Sequence, residues 1–214
     1  EVIIPAPYWV SYPQMVKLAG GEPVIVNAGF DQDFKMTPEQ LEAAITPKTK
    51  MLILCSPSNP TGSVYSQEEL AALAEVILKH EDVYVLADEI YEHINYIGAH
   101  ASIAAVPGMR ERAIIVNGIS KAYAMTGWRI GYIAAPEWIV KGCNKLQGQY
   151  TSGPCSVSQK AAEAAYTLDQ GCVEEMRQAF ERRRDLIVSL ATWFGGKCAT
   201  GRILPFPKMQ QFLR

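Results

Sequence analysis

Along this chain, short continuously apolar runs alternate with stretches whose apolar positions recur at helical spacing. That alternation is the pattern of a parallel sheet with crossover helices. Glu1-Val2-Ile3-Ile4 reads as a strand already under way, and Val24-Ile25-Val26 as another. Met51-Leu52-Ile53-Leu54-Cys55 is too continuously apolar for a half-exposed strand and predicts one covered on both faces. Val83-Tyr84-Val85-Leu86-Ala87 predicts a second buried strand and Ala113-Ile114-Ile115-Val116-Asn117 a further one. After a polar interval the apolar run Trp128-Arg129-Ile130-Gly131-Tyr132-Ile133-Ala134 follows.

The helices announce themselves by their caps. Thr37-Pro38-Glu39-Gln40 offers a capping hydroxyl, a proline suited to the first helical position and a glutamine completing a capping box. Ser66-Gln67-Glu68-Glu69 is a second box, followed by Leu70, Leu73, Val76 and Ile77 at helical spacing. Between them, Ser56-Pro57-Ser58-Asn59-Pro60-Thr61-Gly62 is dense in turn formers and predicts a loop at a strand's carboxyl end. From Pro136 onward the pattern is helical, interrupted at Thr151-Ser152-Gly153-Pro154. The long stretch Val173 to Phe194 carries Arg182-Arg183-Arg184, read as a solvated helix face. Gly195-Gly196 is expected to end that helix and to mark the one boundary near the C-terminus.

Composition narrows the partners. A chain of 214 residues with 49% apolar content buries one sizeable core, with a single domain as the default. Lys+Arg 20 against Asp+Glu 22 gives a formal charge of -2, which excludes the broad basic field of a nucleic-acid binder or of a protein seated on an anionic membrane. A small-molecule partner is expected instead. Cys55, Cys143, Cys155, Cys172 and Cys198 are odd in number and contain no CxxC pair, as expected of reduced thiols in a reducing compartment. His80, His93 and His100 lack metal-ligand spacing, so no metal is expected. With no basic segment preceding a long apolar one and no run of ~18 apolar residues, the chain reads as soluble and cytoplasmic, or organellar in a eukaryote.

In open α/β sheets ligands collect outside the carboxyl ends of the strands. The polar residues directly after the predicted buried strands are Asn59, Asp88 with Tyr91, and Ser120 with Lys121. Each has a bland reading: Asn59 shapes a turn before Pro60, Asp88 caps a following helix, Lys121 is a surface lysine. An amide, a carboxylate, a phenol and a lysine at equivalent strand ends point instead to one assembled site.

These segments carry a resemblance. Ser58-Asn59-Pro60-Thr61-Gly62, Asp88-Glu89-Ile90-Tyr91 and Ser120-Lys121-Ala122-Tyr123-Ala124-Met125-Thr126-Gly127-Trp128-Arg129-Ile130-Gly131 resemble, in order and spacing, the hallmarks of the fold-type I, class I aminotransferases. Pro7-Tyr8-Trp9-Val10-Ser11-Tyr12-Pro13 resembles the segment preceding them, and the likeness extends over residues 1 to 195. The resemblance implies a three-layer α/β/α sandwich with a mostly parallel central sheet, the large domain of pyridoxal-phosphate transferases, without most of the small domain. It implies pyridoxal 5'-phosphate as cofactor, amino-acid and 2-oxo-acid substrates, and a homodimer.

The cofactor's chemistry fits the residues so aligned. Pyridoxal phosphate requires an amine for its aldehyde and an electron-poor ring for the electrons released when the substrate's Cα proton leaves. Lys121 matches the family's Schiff-base lysine, which also moves that proton as general base and acid. Asp88 matches the carboxylate that keeps the pyridine nitrogen protonated. Tyr91 and Asn59 match the groups on the ring's phenolate oxygen, and Arg129 the bidentate clamp on the phosphate. Trp9 matches the aromatic residue on the ring face; Trp9 and Asn59 are also expected to touch substrate. Ser120 is expected as a further phosphate contact, the weakest of the set, since the family often has a second hydroxyl two positions earlier, where this chain has Gly118.

The Trp9 segment and the Ala124–Arg129 run are most similar to the aspartate and aspartate/prephenate aminotransferase subgroup, so aspartate with 2-oxoglutarate is the first substrate expectation and prephenate or an aromatic oxo acid the second. Two family features have no counterpart here: an upstream phosphate-binding turn at a helix N-terminus and a downstream arginine for the substrate's carboxylate. Residues 1–195 are thus expected to be a partial large domain and 196–214 a truncated or divergent tail, with Arg202 and Arg214 given no substrate role. Weak cofactor binding and poor turnover are expected of such a chain. The alternatives are a C–S lyase on the same fold, a non-catalytic sensor domain, and an inactive fragment that keeps only the fold.

Overall fold

The computed structural model describes residues 1–191. Along it run β1 (Val2–Ala6), α1 (Tyr12–Leu18), β2 (Pro23–Asn27), α2 (Pro38–Ala44), β3 (Met51–Cys55), α3 (Gln67–Ile77), β4 (Tyr84–Asp88), β5 (Ala113–Gly118), β6 (Gly131–Ala134), α4 (Glu137–Tyr150), α5 (Ser156–Thr167) and α6 (Gly171–Ala191). The strands form one sheet in the order β2-β1-β3-β4-β5-β6. All neighbours are parallel except β5 and β6, which are antiparallel. This is the mostly parallel α/β architecture expected from the alternation of apolar runs and amphipathic stretches.

Both capping boxes form. The Thr37 hydroxyl accepts from Gln40 N while the Gln40 side chain accepts from Thr37 N, and Ser66 and Glu69 exchange the same pair of bonds. Such a cap contributes about 0.5–2 kcal/mol to its helix by giving two orphaned amides a partner. α3 then turns Leu70, Leu73, Ala74, Val76 and Ile77 inward, each large apolar side chain contributing roughly 1.5–3 kcal/mol by leaving water.

Period-two alternation divides the sheet's two faces. Ile3, Leu52, Leu54, Val85 and Ala87 pack with Leu41 of α2 and with α3 in the larger core. Ile4 and Ile53 face the other way, against Tyr12 and Val16 of α1. On that second side Trp138 of α4 also meets Tyr84 edge to face, ring centres 5.7 Å apart. Helices on both faces leave the strands' carboxyl ends as the open edge of the layer, and the register aligns Cys55 with Asp88 and Asp88 with Val116 there.

The sequence reading needs correction at α6. Arg182 and Arg183 are exposed, but Arg184 is 8% exposed, its guanidinium lying 4.6 Å from the Tyr96 ring centre and bonded to Asp185 and Glu181. The helix rolls that one arginine under, where its guanidinium lies over an aromatic face and its charge is met by carboxylates. Asp88 does not cap a helix either; after β4 the chain turns, and Asp88 Oδ1 accepts from Ile90 N at 3.2 Å. The expected boundary at Gly195-Gly196, the tail 196–214 and Cys198 lie outside the described residues. Cys55, Cys143, Cys155 and Cys172 are free thiols, and among the described residues no helix is long and apolar enough to cross a membrane.

Candidate functional site

Three loops leave the carboxyl ends of β3, β4 and β5, and they meet. After β3, Ser58 N bonds Ser63 O at 2.9 Å and Gly62 N bonds Ser58 O at 3.0 Å. These bonds fold the Pro-rich segment into a tight turn that presents Asn59, with Gly62 taking the positive φ of 75° that a side chain would resist. After β4 the chain turns at Asp88 and buries Tyr91 to 7% exposure. After β5 a long reversal, residues 119–130, carries Ser120 and Lys121 on its outward limb and Arg129 on its return into β6.

That reversal is internally tied. The Thr126 hydroxyl donates to Ser120 O at 2.9 Å, and Arg129 donates to Thr126 O at 2.9 Å. Arg129 occupies a left-handed backbone conformation, φ 54°, as does Ala124 at φ 52°, a cost that side chains other than glycine carry where the surroundings over-determine the geometry. The base of the loop is pinched: a Cβ on Gly118 would lie 2.7 Å from Ile130 O and 2.8 Å from Gly131 Cα. The missing hydroxyl at position 118 therefore has a steric reason in this chain, since the returning backbone fills its place.

The three loops and the segment before α1 enclose a cleft of about 470 Å³, within the range of small-molecule and cofactor sites. Trp9, Asn59, Asp88, Tyr91, Ser120, Lys121 and Arg129 all line it, so every site residue expected from the sequence reaches one cavity. The Lys121 ammonium stands over the Tyr91 ring, 5.7 Å from its centre. Of the further lining residues, the three with polar side chains were not singled out from the sequence: Tyr12, Asn117 and Thr126. Tyr12 and Thr126 lie inside the quoted family segments, whereas Asn117 is the penultimate residue of β5 and is itself buried, its Oδ1 accepting from Gly118 N at 2.7 Å.

Tyr12 is the most consequential of these. Its hydroxyl donates to Asp88 Oδ2 at 2.6 Å, and Trp9 packs edge-on against its ring at 5.5 Å. Burial first, then the neighbouring Cys55 thiol and Asp88 charge, push the phenol far above its ordinary range. Tyr12 therefore stays a donor at any working pH.

A larger cleft of about 710 Å³ lies between residues 92–100 and α6. Its charges are paired with one another: Glu92 with His93 at 3.2 Å, and Arg177 with Glu174 and Glu181 at 2.7 and 2.9 Å. Beside it, Glu89, Glu92 and His100 bring ligand-type atoms within 4.8 Å of one another, but Glu89 already accepts from Ser102 at 2.6 Å and meets His100 at 3.0 Å. The smaller cleft is the better candidate because its amine, carboxylate, phenol and guanidinium converge on open space.

Comparison with known proteins identifies the family to which the chain belongs. Residues 1–207 match the model of the family described as aminotransferase class I and II. The chain is 54% identical over 192 residues to the aspartate/prephenate aminotransferase of Cereibacter sphaeroides, covering 89% of this chain and 48% of that protein. It is 56% identical over 189 residues to the aspartate aminotransferase of Geobacillus stearothermophilus, covering 87% and 48%. Among solved structures, the aspartate aminotransferase from Rhizobium meliloti superimposes with a TM-score of 0.91 at 44% identity, over 94% of this chain and 51% of that one. The chain thus spans about half the length of the relatives it matches.

Proposed function

This chain belongs to the class I and II aminotransferase family, and we propose that it supplies the cofactor-holding part of an enzyme that moves an amino group between an amino acid and a 2-oxo acid. The observation that carries the reading is the convergence of Lys121, Asp88, Tyr91, Asn59 and Arg129 on one cleft at the strands' carboxyl ends.

The donor set suits pyridoxal phosphate. An amine, a carboxylate held at both oxygens, a buried phenol, an amide and a permanently charged guanidinium are the partners needed by an aldehyde, a ring nitrogen, a ring oxygen and a phosphate. When bound, the cofactor supplies an electron sink for the substrate's α-carbon. In this reading Lys121 would hold the aldehyde, and its amine would serve as the base and acid that moves the proton at the substrate's α-carbon. Asp88 would hold the ring nitrogen and Tyr91 and Asn59 the ring oxygen, while Arg129 and Ser120 would hold the phosphate and Trp9 would cover the ring.

Aspartate is the proposed amino donor, supported by the relatives named above, with prephenate or an aromatic oxo acid as the second acceptor class. A homodimer belongs to the proposal. α4 leaves Trp138, Leu146 and Tyr150 exposed, an apolar face of the kind a partner covers. A cytoplasmic setting accords with the four free thiols among the described residues.

The test is an absorbance titration with pyridoxal phosphate, followed by borohydride reduction and peptide mass analysis. A visible band, and a reduced adduct located on Lys121, are expected; the Lys121→Ala protein should show neither. A band and adduct that persist unchanged in Lys121→Ala would remove the lysine from its role.

A further inference from the structure

We propose that Tyr12 is a positioning residue for Asp88, its phenol fixing the carboxylate that faces a pyridine ring bound in the cleft and so governing the protonation of that ring. This role presupposes the cofactor reading of the cleft and adds to it a residue from a separate element, 76 positions away in sequence.

The geometry is specific. Tyr12 opens α1 and is 5% exposed, clamped between Val16 and the sheet residues Ile4 and Ile53 on one side and the Trp9 ring edge on the other. Its hydroxyl reaches Asp88 Oδ2 at 2.6 Å while Ile90 N takes Oδ1 at 3.2 Å. The two bonds fix the carboxylate plane, so the lone pairs left over are the ones presented to the cleft. A short bond between a hydroxyl and an ionised carboxylate is among the stronger hydrogen bonds a protein makes. A second buried tyrosine in the same fold shows what a purely structural phenol does: Tyr65 accepts from the backbone amide of Met36 at 2.7 Å and reaches no lining residue of the cleft through it.

The titratable and charged groups around Asp88 come from every side. Tyr12 approaches from α1 and Cys55 from the neighbouring strand, where its thiol also contacts the Tyr12 hydroxyl; Tyr91, Lys121 and Arg129 line the cleft. Of these, Tyr12 donates directly to a carboxylate oxygen of Asp88, and its phenol remains protonated across the working range. Removing that donor leaves Oδ2 against an apolar ring, which disfavours the charge that a protonated pyridine nitrogen requires beside it.

The experiment compares the unaltered protein with Tyr12→Phe and Tyr65→Phe. The pH midpoint of the absorbance change of bound pyridoxal phosphate should move by about one unit in Tyr12→Phe, the tenfold effect of one charge-assisted hydrogen bond, and stay in place in Tyr65→Phe. The same pair is also read without cofactor, by the carboxyl carbon resonance of Asp88 at fixed pH, which should move in Tyr12→Phe alone. A folded Tyr12→Phe protein with an unmoved midpoint or an unmoved resonance overturns the proposal. Should no protein bind the cofactor, the cofactor reading fails, and the Asp88 resonance still decides whether Tyr12 governs the carboxylate. If Tyr12→Phe does not fold, the readout becomes the phenolic proton of Tyr12 in the unaltered protein, expected far downfield and displaced by Asp88→Asn. A proton unmoved by Asp88→Asn overturns the pairing.

Discussion

The Lys121 ammonium stands 5.7 Å from the centre of the Tyr91 ring, and that ring is almost wholly buried. The lysine is thus carried over a fixed aromatic floor while its amine faces the cleft. Tyr91→Phe keeps the floor and loses the hydroxyl, so it should fold normally and weaken pyridoxal phosphate binding by about tenfold, the effect of one hydrogen bond. Tyr91→Ala empties the floor as well and should lose a further ~3–5 kcal/mol of stability. Urea unfolding beside an absorbance titration separates the two effects; equal stability losses in both variants would contradict the assignment.

Gly118 sits where β5 and β6 pinch the loop that carries Lys121 and Arg129. A methyl group there meets backbone atoms at 2.7 and 2.8 Å, which cannot swing aside as a flexible side chain could. Gly118→Ala should therefore destabilise the protein by roughly 1–3 kcal/mol and displace Arg129, weakening cofactor binding. Gly127, with open space around its would-be Cβ, is the control: Gly127→Ala should leave the unfolding midpoint nearly in place.

Ser66 caps α3 through Glu69 N, and Glu69 also receives Lys35 at 2.6 Å. Ser66→Ala should cost about 1 kcal/mol. Ser66→Asp should recover most of it, because a carboxylate also accepts from the first-turn amides. Chemical denaturation of the three proteins is the check.

Cys155 occupies the N-cap position of α5 without forming a side-chain cap hydrogen bond, and the nearby backbone amides of Ser158 and then Val157 lower its thiol from the usual range. Cys143, exposed as well, lies within α4 rather than at a helix start. At neutral pH Cys155 should be alkylated by iodoacetamide before Cys143, as peptide mass analysis of a time course will show. A reversed order would exclude those amides as the cause.

His93 has its pKa raised, chiefly by its bond to Glu92, against an opposing desolvation effect. A raised imidazole pKa contributes stability that is fully present below the ordinary value of 6.5 and is lost as pH climbs through the folded one. The melting-temperature difference between the unaltered protein and His93→Gln should thus be larger at pH 6 than at pH 8.5. A constant difference would mean that the pair carries no folding linkage.

Much of this architecture was legible before any coordinates. The two capping boxes and the uniformly apolar runs at 51–55 and 83–87 are local signals, and local signals survive folding. The site was legible for a different reason: in a parallel sheet the residues just past the strands share one edge, so Asn59, Asp88, Tyr91, Ser120 and Lys121 had to be neighbours. α1 was harder to see, being only seven residues long and opening on Tyr12-Pro13. The Tyr12–Asp88 bond was beyond reach, since it joins positions 76 apart and depends on how one short helix rests on the sheet. Arg184 was misread because a run of three arginines looks uniformly wet, whereas the helix phase decides which one goes under.

β6 is the one antiparallel strand among the described residues, and it returns beside β5 after a reversal of residues 119–130. Lys121 and Arg129 consequently ride on a single hairpin-like cassette, clipped at its base and cross-braced by Thr126. The distance between the two cations is set by the length of that cassette rather than by the sheet. One inserted or deleted residue between them would change the spacing of the two cations across the cleft while leaving the scaffold intact, which makes this loop the natural lever for redesigning what the cleft accepts.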